Sequence, residues 1–413
     1  MNKNKSLFLH ILQENKPSEK SIKILESDIG YFRVPVVIGD ELIPQKKGWR
    51  IFLLDSRGIE ISNHFVASDD KLRVEIFNPE SGQIEEVRDE ELPIVNLHTV
   101  IPYPDSVEKI KIVEVDPLLT YHQATTSLML NRKDIEVISA TKCKGIENIY
   151  SPITYEVMSK EDRTINRPLI IALMGDGYTQ NDMEKWKKDS EKIMTGFFSD
   201  PLMFSLKNRF RFIRLNLISK DSGISQERRN TALHMVLKGR LLTICSGLAK
   251  QAANNVLGYG EYDQILAVGN TEEYGGAGYP DEGIATLTIH SSATELALHE
   301  FGHSAYGLAD EYVYVCESTN CKIDSEPSAP NITIETNRNK IKWRHHIKPE
   351  TQIPTREPKN GVIGLFEGAA SCKTGLYRPV YNSKMRNLYQ RWYAVNEEHI
   401  RKVMDAYSGK MES

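Results

Sequence analysis

Short stretches of alternating apolar and polar residues follow one another through the first third of the chain. They lie at Tyr31–Gly39, Trp49–Ser56, Leu72–Asn78 and Lys109–Asp116, with turn signals at 56–58, 79–82 and 102–105 between them. Period-two alternation with many β-branched and aromatic residues is typical of strands, and several short strands at this spacing indicate a sandwich. We therefore predict a β-rich, sandwich-like module over residues 1–157, in which we find no catalytic motif.

From Pro168 onward the pattern predicts strands and helices in alternation. A continuous apolar run typical of a buried strand lies at 168–174, further strands are predicted at 209–219, 262–270 and 284–290, and amphipathic helices are predicted from about residue 181 and over Asn230–Val256. This order predicts a multidomain chain whose second domain, residues 168–413, is α/β with a largely parallel sheet. The polar stretch 158–167 is interpreted as a linker, and GDGYT (175–179) as a tight strand-to-helix turn rather than a nucleotide site.

Composition and charge narrow the classes of function. The chain has 413 residues, of which 40% are hydrophobic and 26% charged, as in ordinary globular proteins. Its net charge of -4 argues against nucleic-acid binding, and no apolar run approaches the about 20 residues of a membrane span. The apolar stretch Leu7–Leu12 is too short for an export signal. We expect a cytoplasmic protein, or one exported by a non-standard route, and leave its oligomeric state open.

Two small groups of potential metal ligands are interpreted as structural. Cys316 and Cys321 have no second cysteine pair to complete a zinc knuckle, so a local disulfide or two free thiols is expected. The other cysteines, Cys143, Cys245 and Cys372, are interpreted as ordinary thiols. His345 and His346 are adjacent in sequence, and adjacent residues point apart on regular structure, so a shared metal site is not expected there.

The segment TELALHEFGHSAYGLADEY (294–312) carries the strongest chemical signal. Ser292 and Glu295 fit a capping box, which predicts that a helix begins immediately before the motif. His299 and His303 are four residues apart and would lie on one face of that helix, where both imidazoles can bind one metal ion.

Glu300 completes the His-Glu-x-x-His arrangement of zinc peptidases. The helical period turns it by about 100° from His299, so it lies beside the metal rather than among its ligands. Bound zinc brings water to a pKa near 7, about the range in which a carboxylate can remove its proton. Glu300 is therefore the predicted general base, which takes that proton during attack on a peptide carbonyl and passes it to the leaving amine.

A catalytic zinc ion also needs a third protein ligand and an open position. Gly307 can adopt the left-handed conformation that ends a helix, and the turn after it brings an acid back towards the metal. We favour Asp310 as that ligand; Glu311 is the runner-up, and a distant glutamate from another helix stays open.

Several motifs between Pro168 and the C-terminus resemble the immunoglobulin-A peptidase family of bacterial zinc metallopeptidases, which belongs among the metzincins. They are, in family order, GDGYT at 175–179, YGG at 274–276, HEFGHSAYGLADEY at 299–312, GLFEGA at 364–369 and LYRPVYNSKMRN at 376–387. Most metzincins have glycine three residues after the second histidine and a histidine as third ligand. Here Gly307 comes four residues after His303 and an acid follows, as in the immunoglobulin-A peptidase branch.

The resemblance implies a metzincin-like α/β zinc-peptidase domain at 168–413 and adds two roles. Met385 would form the methionine turn, an apolar floor beneath one catalytic zinc ion. Tyr274, Gly275 and Gly276 would lie near the edge strand that holds an extended protein or peptide substrate, as peptides commonly bind sheet edges.

Together these features predict a zinc-dependent endopeptidase. Two alternatives stay open: a zinc-dependent hydrolase of a non-protein amide, which substrate profiling would distinguish, and a non-catalytic binding protein on a peptidase fold. The intact set of His299, Glu300 and His303 argues against the binding protein, because a decayed enzyme tends to lose its base or a ligand.

Overall fold

The computed structural model describes residues 5–16, 19–34, 47–68, 71–115, 127–135, 154–159, 167–279, 282–313, 325–356 and 361–408. The described chain is rich in β-structure. Its first ten strands are β1 (Ser6–Lys16), β2 (Glu19–Gly30), β3 (Gly48–Leu54), β4 (Glu60–Ala67), β5 (Lys71–Phe77), β6 (Ile84–Glu91), β7 (Ile94–Pro102), β8 (Lys109–Val115), β9 (Ser127–Asn131) and β10 (Thr154–Val157).

Two antiparallel sheets in the N-terminal part share one apolar core. One has the order β2-β1-β7 and the other β4-β3-β8-β9. Their buried side chains include Leu9, Trp49 and Ile112. The strands predicted at 49–56, 72–78 and 109–116 are confirmed as β3, β5 and β8. The strand predicted at 31–39 is not: residues 31–34 have no regular structure and 35–39 lie outside the described residues.

The strands β5 and β6 form a separate antiparallel hairpin, which we call the β5–β6 hairpin. Its side chains Leu72 and Val74 are buried in a core that also contains residues of the second domain, such as Met174 and Leu237. This hairpin therefore packs on the C-terminal part of the chain rather than on the N-terminal sheets.

The C-terminal part is built on a mixed eight-stranded sheet. Its order is β10-β12-β11-β15-β17-β16-β14-β13, and neighbours run parallel from β12 to β17, whereas β10 and β16 are antiparallel to their main neighbours. The remaining strands are β11 (Leu169–Asp176), β12 (Phe210–Asn216), β13 (Val236–Lys238), β14 (Leu241–Thr243), β15 (Gln264–Gly269), β16 (Gly276–Tyr279), β17 (Ile284–Thr288), β18 (Phe366–Ala369) and β19 (Cys372–Arg378). The helices are α1 (Met183–Phe197), α2 (Pro201–Ser205), α3 (Ser246–Leu257), α4 (Ala293–Ser304) and α5 (Tyr393–Tyr407).

The predicted helix over 230–256 is wrong in its first half. Residues 236–243 form the short antiparallel pair β13 and β14, and only α3 is helical. Two features explain the difference. Gly239 takes a positive φ of 64° in the turn between the two strands. The buried carboxylate of Asp176 accepts hydrogen bonds from the backbone N–H groups of Leu233 and Met235, both at 2.8 Å. Those N–H groups are thus engaged outside any helix.

The turn predicted at GDGYT is confirmed between β11 and the short 3-10 helix Gln180–Asp182 that precedes α1. Gly177 has a φ of 77° there, and a side chain would meet the backbone of Gly223 at 2.9 Å. One face of the sheet carries α1 and α4 in a core with α5, and α3 lies on the other face. None of the helices in the described ranges is long and apolar enough to cross a membrane.

One cysteine differs from its interpretation as an ordinary thiol. Cys372 takes part in a disulfide bond, whereas Cys245 is a free thiol as expected. Cys143, Cys316 and Cys321 lie outside the described residues.

Candidate metal centre

The helix α4 lies against one face of the sheet, and most of its residues are buried. Its start differs from the predicted capping box, because the Ser292 side chain makes no cap hydrogen bond and donates instead to the Pro79 carbonyl at 3.3 Å. Glu295 accepts hydrogen bonds from Lys384 Nζ at 2.6 Å and from the Tyr389 backbone N–H at 3.0 Å. The first turn of α4 is therefore tied to the segment around Met385 and to the β5–β6 hairpin.

The two histidines of α4 point the same ring nitrogen at each other. Nδ1 of His299 lies 2.9 Å from the Lys384 carbonyl, and Nδ1 of His303 lies 2.7 Å from the Leu308 carbonyl. A carbonyl only accepts, so each Nδ1 carries a proton, and in the neutral form of each ring Nε2 is a bare acceptor that can bind a cation. The two Nε2 atoms are 3.2 Å apart.

Asp310 brings a third bare acceptor to the same point. Its Oδ1 lies 3.1 Å from His303 Nε2 and 3.4 Å from His299 Nε2. Gly307, with a φ of 64°, reverses the chain after α4 as predicted and returns Asp310 to the helix. Asp310 Oδ1 is a buried oxygen without a hydrogen-bond partner, as expected of a metal ligand when both histidine rings are neutral and carry their protons on Nδ1.

Distances and charge both fit a metal ion at the centre of this cluster. Ligand bonds of about 2.0–2.1 Å in a tetrahedron place ligand atoms about 3.3–3.4 Å apart, close to the separations observed here. Burial by itself lowers the pKa of His299, but Asp310 and Glu75 outweigh burial and raise that pKa well above its usual value. The cluster therefore strongly favours a cation, and its donor set of imidazole and carboxylate is one that binds transition metals.

Glu300 lies beside this cluster and is also buried. Burial first, and then the charge of Glu75, raise the pKa of Glu300 to about 7, although the two histidines act in the opposite direction. Gly278 in β16 makes room for it, because a Cβ at Gly278 would lie 1.9 Å from Glu300 Oε2. Sequence reasoning missed Gly278; the two glycines of GAGY were the only signal.

Glu311, the runner-up for third ligand, is directed elsewhere. Its carboxylate accepts hydrogen bonds from Ser383 Oγ at 2.7 Å, Asn396 Nδ2 at 2.9 Å and Asn331 Nδ2 at 3.0 Å. The structure thus brings Asp310, and not Glu311, to the two histidines.

Met385 is fully buried beneath α4. A Cβ at Gly302, between the two histidines on that helix, would lie 2.4 Å from the Met385 sulfur. The methionine therefore packs directly under the histidine-bearing turn.

The YGG segment lies at the start of β16. Side chains at Gly275 and Gly276 would meet Leu237 at 2.4 Å and Leu296 at 2.5 Å, so close packing alone requires both glycines. Tyr274 packs edge-on against His290. Substrate binding by these three residues stays a prediction.

A fourth residue of the cluster, the acid Glu75, was not predicted from the sequence. Glu75 of β5 places Oε2 3.0 Å from His299 Nε2, and one donor atom from each of Glu75, His299, His303 and Asp310 lies within 4.8 Å of all the others. Period-two alternation assigns Glu75 to the polar face of its strand, and no spacing rule links it to a motif over two hundred residues away.

A second group of potential ligands contradicts the expectation that His345 and His346 diverge. On the short 3-10 helix Arg344–His346 their rings lie side by side, 4.3 Å between centroids, and both Nε2 atoms contact Glu398 Oε2. Lys402 binds the other oxygen of Glu398 at 2.5 Å. This group is half-exposed and remote in sequence from the α4 cluster.

A buried His-Glu-x-x-His helix, with an acid returned to both histidines, is the arrangement of a metal-dependent peptidase. Residues 159–362 match the family model described as IgA Peptidase M64. The resemblance to the immunoglobulin-A peptidase family is thereby confirmed for this region, and the match together with the candidate metal site supports a peptidase. No curated protein matches the chain.

Proposed function

We propose that this protein is a zinc-dependent endopeptidase whose ligands are His299, His303 and Asp310. The observation that carries the proposal is the meeting of three bare acceptor atoms at 3.1–3.4 Å, with Glu300 beside them. Two imidazoles and a carboxylate are a usual protein ligand set for catalytic zinc. Bound zinc would act as a Lewis acid that polarises a peptide carbonyl and makes water more acidic.

Glu300 is the proposed general base and general acid. A carboxylate with a pKa of about 7 exchanges protons readily near neutral pH, so it can take one from water and give it to the leaving amine nitrogen. Gly278 lets the Glu300 carboxylate lie against β16, which directs it to the side of the helix away from Met385.

The carbonyl groups behind the histidines fix the orientation of both rings. Lys384 O and Leu308 O each hold an Nδ1 proton, which selects the tautomer that leaves Nε2 for the ion. Met385 closes the underside of the site with an apolar side chain and, in this proposal, is the methionine turn of a metzincin-like domain.

We also propose the division into an N-terminal β-rich, sandwich-like module at 1–157 and a metzincin-like catalytic domain at 168–413. The separate N-terminal core and the large sheet with α4 beneath it support this division. β10 precedes the proposed linker but pairs with β12, so the chain joins the large sheet before the linker begins.

For the substrate, we propose an extended peptide held along β16. This strand is antiparallel to β17 and passes beside Glu300; on its other side β14 pairs with it at Gly276, and Tyr274 and Gly275 lead into it. Backbone hydrogen bonding to such a strand would place a peptide carbonyl over the metal cluster.

Cleavage of an unfolded protein by wild type and Glu300→Gln, with zinc measured in both, tests the proposal. Equal zinc content with cleavage by wild type alone is expected, and a chelator should abolish cleavage until zinc is restored. Cleavage by both proteins would show that Glu300 is not the general base. Failure of either protein to bind zinc would refute the proposed ligand set.

A further inference from the structure

We propose that Glu75 is a fourth ligand of the metal ion and that the β5–β6 hairpin thereby holds the peptidase in a latent form. This inference rests on the proposed zinc site. Its starting point is the 3.0 Å between Glu75 Oε2 and His299 Nε2, atoms that both lack a proton when the ring is neutral. Two acceptors at that separation repel each other unless a proton or a metal ion lies between them.

The two oxygens of Glu75 have different partners. Oε1 accepts hydrogen bonds from the Tyr312 hydroxyl at 2.6 Å and from Arg73 Nε at 3.2 Å, whereas Oε2 faces the histidines. One oxygen is thus anchored by the protein and the other is presented to the ion. Such a division is what a carboxylate ligand bound through a single oxygen requires.

Arg73 links this carboxylate to the third ligand. Its guanidinium lies 3.5 Å from Asp310 Oδ2 and donates to Ser371 Oγ at 2.7 Å. The outer oxygens of Glu75 and Asp310 are therefore neutralised by one arginine, while their inner oxygens converge with the histidines. This arrangement compensates two buried carboxylates that would otherwise repel.

The hairpin is seated firmly over α4. Phe77 is fully buried against Leu296, Tyr312 and Leu388 and packs edge-on against the His299 ring, 4.9 Å between centroids. Beyond β5, the Gly82 carbonyl accepts the Leu388 backbone N–H at 2.8 Å.

The hairpin also lies where a substrate would bind. β5 packs beside β16, the strand proposed to hold the peptide. At its tip, the Tyr389 hydroxyl donates to the Pro79 carbonyl at 2.5 Å. A hairpin that packs beside β16 excludes an extended peptide from the same strand.

The consequence follows from coordination number. Three protein ligands leave a catalytic zinc ion with an open position for water or substrate, whereas four ligands close a tetrahedral site. With Glu75 in place the site has four ligand atoms, and the β5–β6 hairpin covers β16. Displacement of the β5–β6 hairpin would remove both obstacles at once.

The test compares full-length wild type, Glu75→Ala and Glu75→Gln, with Glu91→Gln as the control on the exposed end of the same hairpin. Cobalt(II) replaces zinc so that visible absorption reports the ligands, acetohydroxamate serves as a probe of an open position, and peptide cleavage is measured with zinc. Thermal unfolding verifies that each variant is folded; Glu75→Gln keeps the shape of the side chain should Glu75→Ala fail to fold.

We expect both Glu75 variants to show an altered cobalt spectrum, a further change with acetohydroxamate, and cleavage about 10-fold faster or more, since only the open fraction of wild type is competent. Wild type should not respond to acetohydroxamate, and Glu91→Gln should match wild type in its cobalt spectrum, its response to acetohydroxamate and its rate of cleavage. Unchanged spectra, or a wild type that already responds to acetohydroxamate, would overturn the proposal, as would loss of cobalt from the Glu75 variants. Altered spectra and probe binding without cleavage would support Glu75 as ligand and count against the peptidase function instead.

Discussion

The backbone N–H of Glu311 donates to the carbonyl oxygen of Met385 across 2.7 Å. The Glu311 carboxylate strengthens the same link through Ser383, two residues before Met385. Between those two residues lies Lys384, whose carbonyl orients His299. The turn that supplies Asp310 and the segment beneath α4 are therefore held as one unit, and the positions of the proposed metal ligands depend on both.

Glu311→Gln should weaken zinc binding although Glu311 is not a proposed ligand. Its carboxylate meets only hydrogen-bond donors, so an amide NH₂ in its place would face one of them and loosen the unit. We expect zinc affinity to fall by about 10–100-fold, as for other groups that orient metal ligands. Competition with a chromophoric chelator measures this, with the exposed Glu350→Gln as control; equal affinities would contradict the argument.

Asp310→Ala should have a larger effect than Glu311→Gln. It removes the proposed third ligand itself, so we expect zinc affinity to fall by more than about 100-fold, beyond the usual range for outer groups. The same competition assay applies, and circular dichroism establishes that the variant is folded. If Asp310→Ala kept its zinc while Glu311→Gln lost it, Glu311 rather than Asp310 would be the third ligand.

Much of the fold near α4 could be predicted from the chain itself, because the signals are local. β11 is a continuous apolar run buried on both faces, and α4 was predicted from the capping-box pattern at Ser292 and Glu295, although the Ser292 side chain makes no cap hydrogen bond. Gly307 likewise marked the reversal that brings Asp310 back. In each case neighbouring residues determine both the element and its position.

The remaining parts depend on contacts between distant residues. The leucines at 233, 237 and 241 fit a helical period, but Asp176 takes up the nearby backbone N–H groups and the chain forms β13 and β14 instead. The stretch Leu7–Leu12, tested as an export signal, is part of the central strand β1. Glu75 is buried only because the β5–β6 hairpin packs on the C-terminal part of the chain.

Removal of the metal ion should destabilise the protein. Binding only to the folded state stabilises it by about 4 kcal/mol when free zinc is 1,000 times the dissociation constant. Chelation should therefore lower the unfolding temperature, and added zinc should restore it. His303→Ala serves as the control: a chelator that lowered its unfolding temperature equally would be acting elsewhere.

Two glycine substitutions should distinguish the contribution of the proposed base, Glu300, from that of the proposed metal ligands. In Gly278→Ala the new methyl would lie 1.9 Å from Glu300 Oε2, whereas in Gly302→Ala it would lie 2.4 Å from the Met385 sulfur. We expect Gly278→Ala to lower kcat by about 100-fold or more, a typical contribution of general acid–base catalysis, with zinc affinity kept. Gly302→Ala should instead weaken zinc binding.

Zinc titration and steady-state kinetics on both glycine variants, each in the Glu75→Ala background, give the two readings. Weaker zinc binding in Gly278→Ala, or kinetics of Gly302→Ala that change only in kcat at full zinc occupancy, would contradict the assigned contacts.

Asp176→Asn should destabilise the fold without altering the metal site. The Asp176 carboxylate is fully buried and accepts hydrogen bonds from the Thr231 hydroxyl and from two backbone N–H groups, all at 2.8 Å. Asparagine keeps the shape but turns an NH₂ group towards one of these donors, leaving both unsatisfied at about 1–3 kcal/mol each. We expect denaturant unfolding to show a loss of that size, with zinc affinity unchanged. The exposed Asp221→Asn, in the loop that also carries Thr231, should stay within about 0.5 kcal/mol of wild type. A stable Asp176→Asn variant would mean that segment 230–243 holds its strand conformation without this carboxylate.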